Sequence, residues 1–221
     1  MPDPIERHPT RAEQLDILTS LVIDHAGPEG PILDLGCGTG YIDHLILSRN
    51  PKLRLVGIDK NTEALAAASR HLAGHSARFV EGDLTSLAKL ELPESPFTLT
   101  FSALTFHDLD DAAKQAAIAW VAERLAPGGY FLLYDRLKLV EPLTFPLQIT
   151  LWRRIERLYD RGMRASADYA AYVADLAPNN RPASLGDYLA WFAAAGLAAT
   201  CLHLHGNVAL IAGAKPARLA T

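Results

Sequence analysis

Residues 32–41 read ILDLGCGTGY. Three apolar side chains surround one acid, and glycines then stand at alternate positions 36, 38 and 40. A short apolar run of this kind predicts a buried strand, and the spacing from Tyr41 to Leu47 predicts a helix directly after it. Glycine has no Cβ, so the backbone at Gly36, Gly38 and Gly40 admits close approach. Strand, glycine loop and helix suit dinucleotides or other adenosine cofactors. The dinucleotide pattern needs its last glycine where Tyr41 stands, one residue after Gly40. The phosphate-loop pattern needs a Gly-Lys-Ser/Thr ending, which is absent.

Outward from this loop, strands alternate with helices. LRLVGID (53–59), ARFVEGD (77–83), FTLTFSALTF (97–106) and YFLLYD (130–135) read as strands. Helices are expected from Asn61 to Leu72 and from about Asp110 to Leu125, the latter ended by APGG. A first helix begins after Thr10, with Thr10 and Glu13 at capping-box spacing and Leu15, Leu18 and Val22 on one face. This alternation argues for an α/β fold, a doubly wound, mostly parallel sheet. After Asp135 the pattern changes: about Leu143 to Ala177 reads as helix, PNNRPAS (178–184) as a turn, and Ser184 with Asp187 caps another helix. Gly206-Asn207 then joins two strand-like runs, which predicts an antiparallel C-terminal hairpin. The expectation is a single domain over 1–221, with an N-terminal helix and cover over 1–30 and a helical lid insertion over 137–183.

Composition sets the broad class. The chain has 221 residues, 49% of them hydrophobic, enough for one domain with a substantial core. Net charge is −4, which disfavours a nucleic-acid partner. Cys37 and Cys201 make neither a disulfide framework nor a zinc site, and no metal is expected. No apolar run reaches membrane-spanning length, so a cytoplasmic protein without a membrane partner is expected.

DLGCGTG (34–40) resembles the first motif of class I S-adenosylmethionine-dependent methyltransferases, and the similarity extends from about Ile32 to Lys215. The resemblance implies a seven-stranded Rossmann-like sheet with an antiparallel final strand. It implies S-adenosyl-L-methionine as cofactor and S-adenosyl-L-homocysteine as product. Asp34 would then accept from the cofactor's ammonium, with Gly36, Cys37, Gly38 and Gly40 against its amino-acid tail. Asp59, followed by Lys60, would accept the ribose hydroxyls, or else cap the next helix, a task Asn61 can also perform. Asp83 would take the adenine amino group while Leu84 donates its N–H; Asp83 can equally cap the segment that follows. Ser102 and Ala103 would supply backbone contacts at the methionine end. His107, in LTFHDL (104–109), would sit beside the cofactor as the one catalytic candidate, or serve as a structural histidine bonding a loop carbonyl.

The acceptor is expected beyond the carboxyl ends of the strands. Tyr134 and Arg136 at the end of the fifth strand, and Trp152 and Tyr159 in the insertion, are candidate pocket residues, the aromatics being equally suited to core packing. Arg153, Arg157, Arg161 and Arg164 would form a solvated basic face, or meet an anionic acceptor. His8 and Arg11 would close over the site from the N-terminal side. The C-terminal half is similar to carboxy-S-adenosylmethionine synthases and their methyltransferase relatives. Those synthases hold the extra carboxylate through an arginine, whereas the nearest positions here are Ala171, Tyr172 and Val173, which favours the ordinary cofactor. The resulting expectation is methyl transfer to a small-molecule acceptor by a chain able to form a homodimer. The alternatives are a tRNA-modifying enzyme, a non-catalytic cofactor-binding module and a dinucleotide-dependent reductase.

Overall fold

The computed structural model describes residues 8–27, 30–92, 94–162, 166–176 and 180–217. The first seven residues of the expected cover, Arg164, and Ala177, Pro178 and Asn179 lie outside the described residues.

Seven strands form one sheet: β1 (Pro31–Leu35), β2 (Arg54–Asp59), β3 (Ala77–Glu81), β4 (Phe97–Ala103), β5 (Leu125–Arg136), β6 (Ala198–His205) and β7 (Val208–Ala214). Their spatial order is β3-β2-β1-β4-β5-β7-β6. The first five run parallel, and β7 inserts antiparallel between β5 and β6. The order reverses at β1, where crossovers leave in both directions and a crevice opens at the strands' carboxyl ends.

Among the described residues, seven α-helices accompany the strands: α1 (Arg11–His25), α2 (Tyr41–Arg49), α3 (Thr62–His71), α4 (Asp111–Arg124), α5 (Phe145–Tyr159), α6 (Tyr169–Asp175) and α7 (Leu185–Ala194). Every residue of β1 is buried, as befits a strand covered on both faces. Ile32, Leu55, Leu99, Phe101, Leu132, Tyr134 and Val208 pack beneath α1 and α2. Leu33, Val56, Ile58, Phe131, Leu133 and Ile211 pack beneath α4 and α7. The period-two alternation of β5 therefore sends Tyr134 and Arg136 towards the α1 face, and Asp135 towards the α4–α7 face.

Three local expectations change. Thr10 precedes α1 without capping it: its backbone is already helical, at φ −88° and ψ 0°, and its hydroxyl donates to Gln14 Oε1 at 2.8 Å. A capping side chain needs an extended backbone beneath it, which Ser184 has, and there the capping box with Asp187 forms. The fifth strand starts earlier than YFLLYD, because Leu125 already pairs with Phe97 before a register shift. The insertion is two helices, α5 and α6, preceded by a short turn at Pro142–Thr144, rather than one continuous helix.

Candidate functional site

The glycine loop spends its amides inside the protein. Gly36 and Cys37 donate to the Ile58 carbonyl at 2.8 and 3.0 Å, Gly40 donates to Cys37 at 3.0 Å, and Gly38 donates to Asp59 Oδ2 at 2.8 Å. A pyrophosphate site turns such amides outward at a helix N-terminus. Here they are engaged, and the buried Asp43 carboxyl stands in the first turn of α2. The loop is unsuited to a phosphate, which removes the structural basis for a dinucleotide reductase.

The three glycines also serve different ends. Only Gly38, at φ +53°, has open space where a Cβ would point. A Cβ on Gly36 would collide with Thr105, and one on Gly40 would come within 3.0 Å of Ala68 and 3.1 Å of Leu72. Close approach of a ligand therefore explains Gly38, whereas Gly36 and Gly40 are required by the packing of the chain on itself. Cys37 likewise turns inward: its side chain is 8% exposed and its thiol pKa is raised, chiefly by burial. Only its main chain is left to meet a ligand.

Asp34, Asp43 and Asp59 surround this loop, and Asp83 follows β3. Asp34 is 2% exposed, and its Oδ1 has no hydrogen-bond partner. Burial, and then the adjacent Asp43, raise its pKa well above the usual carboxylate range. Asp43 is fully buried and its pKa is raised to about 7 by burial, against a lowering hydrogen bond from Asp34. Two adjacent buried carboxyls titrate as a pair, and both are held above the ordinary carboxylate range. Asp59 accepts from Gly38 through Oδ2 and from the Asn61 N–H through Oδ1 at 2.8 Å. Asn61 caps α3 by itself, accepting from Glu63 and Ala64. A carboxylate takes about four hydrogen bonds, so Asp59 keeps capacity for a diol. Asp83 accepts the Thr85 N–H and hydroxyl through Oδ1, both at 2.9 Å. These bonds, with a smaller contribution from Lys60, lower its pKa. Its other oxygen stays available beside the buried Leu84. A buried carboxyl oxygen of Asp34 without a hydrogen-bond partner, open space at one glycine and a spare carboxylate edge fit a cationic, sugar-bearing adenosine ligand.

At the carboxyl end of β4, Ser102 is fully buried and its hydroxyl donates to the Leu35 carbonyl at 2.7 Å, tying β4 to β1. Its side chain braces the strands, and Ala103, at the strand's last position, is half-buried. His107 follows on a short turn at Phe106–Asp108. Its Nδ1 lies 2.6 Å from Asp135 Oδ1, and its backbone N–H donates to Asp135 Oδ2 at 2.6 Å. Asp135 also accepts the Arg136 N–H at 2.8 Å and is 2% exposed. A carboxylate at Nδ1 favours the proton there and leaves Nε2, 3.6 Å from Asp108 Oδ1, as the acceptor. The Arg181 N–H donates to the His107 carbonyl at 2.6 Å. Arg181 lines a cleft of about 300 Å³ with Asp110, Asp111, Lys138 and Asn180. The sequence places Asp135 at the end of the fifth strand; its pairing with His107 needs β4 and β5 to be neighbours.

The expected pocket residues divide. Tyr134 is 1% exposed, and its hydroxyl donates to Gln14 Oε1 at 2.9 Å. Burial pushes its pKa up to about 12. It holds α1 against the sheet instead of lining a pocket. Trp152 packs with Phe145, Ile155 and Tyr172 inside the insertion, taking the core role. Tyr159 is exposed, donates to Glu13 at 3.0 Å and lies 6.3 Å from the His205 ring. Arg153, Arg157 and Arg161 are exposed.

Comparison with known proteins adds to this geometry. Residues 32–129 match the profile of a methyltransferase domain. The chain is 32% identical over 165 residues to a trans-aconitate 2-methyltransferase of Methylobacterium nodulans, covering 75% of this chain and 56% of that protein. It is 32% identical over 123 residues to a ribosomal RNA small subunit methyltransferase C of Mannheimia succiniciproducens, covering 53% of this chain and 36% of that protein. The chain thus spans 56% of the first and 36% of the second of these relatives. Among solved structures, an O-methyltransferase family protein of Burkholderia thailandensis superposes with a TM-score of 0.69 at 18% identity, over 94% of this chain and 57% of that one.

Proposed function

The chain belongs to the class I S-adenosylmethionine-dependent methyltransferases, and from that membership we propose that it methylates a small-molecule acceptor. The observation that carries this reading is the cradle of Gly38, Asp34 and Asp59, with loop amides turned away from any phosphate. Asp34 receives the cofactor's ammonium, and Asp59 accepts the ribose hydroxyls. Asp83 takes the adenine amino group and Leu84 offers its N–H. When bound, S-adenosylmethionine supplies an electrophilic methyl on a positively charged sulfur, and S-adenosylhomocysteine is the product.

A small acceptor is favoured over RNA on two grounds. The match to the trans-aconitate enzyme covers 75% of this chain, against 53% for the ribosomal RNA enzyme. The net charge of −4 gives no broad cationic surface for a phosphate backbone. No helix among the described residues is long and apolar enough to cross a membrane. A cytoplasmic setting goes with this reading, where the free thiols of Cys37 and Cys201 stay reduced.

His107 is the residue we assign to proton removal. Asp135 holds its Nδ1, and Nε2, 3.6 Å from the exposed Asp108 carboxylate, takes the proton of an acceptor hydroxyl or amine as the methyl transfers. Transfer of tritiated methyl from S-adenosylmethionine across an acceptor panel tests the function. Incorporation by the wild type is expected. His107→Ala should lower kcat about 10²–10⁴-fold, with S-adenosylhomocysteine affinity within twofold of wild type. Cofactor binding without incorporation into any acceptor would contradict the function. An unchanged kcat in the variant would remove His107 from the chemistry and point to an acceptor already ionised.

A further inference from the structure

We infer that the cleft beside His107 holds the acceptor by an amino-acid head group, with its ammonium on Asp110 and its carboxylate on Lys138 and Arg181. The inference rests on the methyl-transfer reading and deepens it by naming the acceptor's chemical class. The cleft has a volume of about 300 Å³ and is lined by Asp110, Asp111, Lys138, Leu176, Asn180 and Arg181. That size lies at the small end of the range for ligand pockets.

Chain direction sets this cleft at the edge of the sheet where an acceptor is expected. β4 and β5 run parallel, so the loop from β4 to α4 and the chain leaving β5 both start from carboxyl ends. Asp110 and Asp111 open α4 there, and Lys138 follows soon after Arg136, the last residue of β5. β6 runs in the same direction as β5, because each is antiparallel to β7. The helix that leads into β6, α7, therefore starts at the same edge, and Arg181 precedes it. Direct contacts join the cleft to the histidine. The Arg181 N–H donates to the His107 carbonyl at 2.6 Å, and its guanidinium donates to the Asp108 carbonyl at 2.9 Å. The Lys138 N–H donates to the Ala183 carbonyl at 2.9 Å, which ties the two basic segments together.

Groups of both signs keep capacity for a ligand. Lys138 and Arg181 are exposed, and neither has an ion-pair partner among the described residues. Asp110 spends Oδ1 on the Ala113 N–H at 2.8 Å, as the cap of α4. Asp111 spends Oδ1 on the buried Lys114 ammonium at 3.1 Å, which offsets its charge. A carboxylate accepts about four hydrogen bonds, so Asp110 remains the acid for an ammonium and Asp111 a further acceptor. Asn180 Oδ1 is buried without a hydrogen-bond partner. Such an atom carries a desolvation cost that an incoming donor relieves.

This mixture selects the ligand's charge. An anion alone would face Asp110, and a cation alone would face Lys138 and Arg181; like charges brought together in one site repel. A zwitterion meets both signs, and its ammonium also supplies the donor that Asn180 Oδ1 lacks. The nearby Asp108 carboxylate turns to His107 Nε2, at 3.6 Å. The cofactor's own amino-acid tail is assigned to Asp34 and the loop after β1, whereas this cleft is built from segments that follow β4 and β5. The two head groups therefore have separate sites.

Calorimetry on the whole chain saturated with S-adenosylhomocysteine tests the site, with the common free amino acids titrated in turn. Propionate and ethylamine, which carry one head group each, are the controls. At least one amino acid should bind, and both controls should bind at least tenfold more weakly. Lys138→Gln, at an exposed position, and Asp110→Asn, which keeps the cap, should each weaken that amino acid at least tenfold. S-adenosylhomocysteine affinity should stay within twofold in both variants. Binding of no amino acid, controls that bind as tightly, or variants that bind the amino acid as the wild type does would overturn the inference. So would a tenfold loss of S-adenosylhomocysteine affinity in either variant, which would give the cleft to the cofactor. A wild type that fails to bind S-adenosylhomocysteine would overturn the methyl-transfer reading first and this inference with it.

Discussion

Asp43 and Asp34 compress a pH response into one contact. Both are buried, and the folded protein raises both pKa values above the ordinary carboxylate range. A raised acid binds more protons folded than unfolded, so its contribution to stability is present at low pH and is lost as pH rises through the folded pKa. For Asp43 that window centres on about 7. The ligand-free protein should lose on the order of 5 °C in Tm between pH 6 and pH 8, and Asp43→Asn should flatten the slope. S-adenosylhomocysteine carries an ammonium that favours ionised Asp34, so its binding should release a proton and tighten as pH rises. Scanning calorimetry at three pH values, with and without ligand, measures both effects. His8 acts lower and with opposite sign. Held neutral to about 4 in the fold, it removes stability as pH falls below its ordinary value of 6.5. Asp34, Gly38 and Asp59 were legible in the sequence because motif and spacing marked them. Asp43 was not, since its meeting with Asp34 depends on how the intervening loop folds back.

At the scale of elements, alternation along β5 does most to organise the site. Asp135 turns to His107 on one face, and Arg136 turns to the start of α1 on the other. The sequence predicted this strand and its edge residues, but not the partners, which come from β4 and α1 far along the chain. The hairpin of β6 and β7 was legible from Gly206-Asn207 alone, because turn chemistry is local. The Thr10 cap was misread for the converse reason: spacing does not reveal backbone angle, and Gln14 competes for the hydroxyl. The packing of α7 on β7 offers a sharper test. Phe192 stacks on Phe131 with ring centroids 5.1 Å apart, and it also lies over Gly213, where a Cβ would overlap its ring. Gly213→Ala should therefore cost about 1–3 kcal/mol in denaturant unfolding. S-adenosylhomocysteine affinity should not change, since Gly213 is remote from β1 and β2 in the sheet. An equally stable variant would show that the ring has room to move.

Across the whole molecule, the acids assigned to the cofactor lie on β2 and after β3, to one side of β1, and His107 follows β4 on the other. The sheet's outline was readable beforehand, because a buried apolar run, a glycine loop and a terminal hairpin each have a local signature. Strand order, which decides what lies across the crevice from what, has none. The central claim is that the loop at residues 36–40 and Asp59 receive the adenosine and tail of S-adenosylmethionine rather than a dinucleotide. Calorimetric titration of S-adenosylhomocysteine and of NADPH into the wild type and Asp59→Ala tests it directly. Micromolar binding of the first, no heat from the second and at least a tenfold loss in the variant are expected, as charged hydrogen bonds contribute roughly 1.5–3 kcal/mol each. Binding of NADPH, or an Asp59→Ala variant that holds S-adenosylhomocysteine as tightly as the wild type, would contradict it.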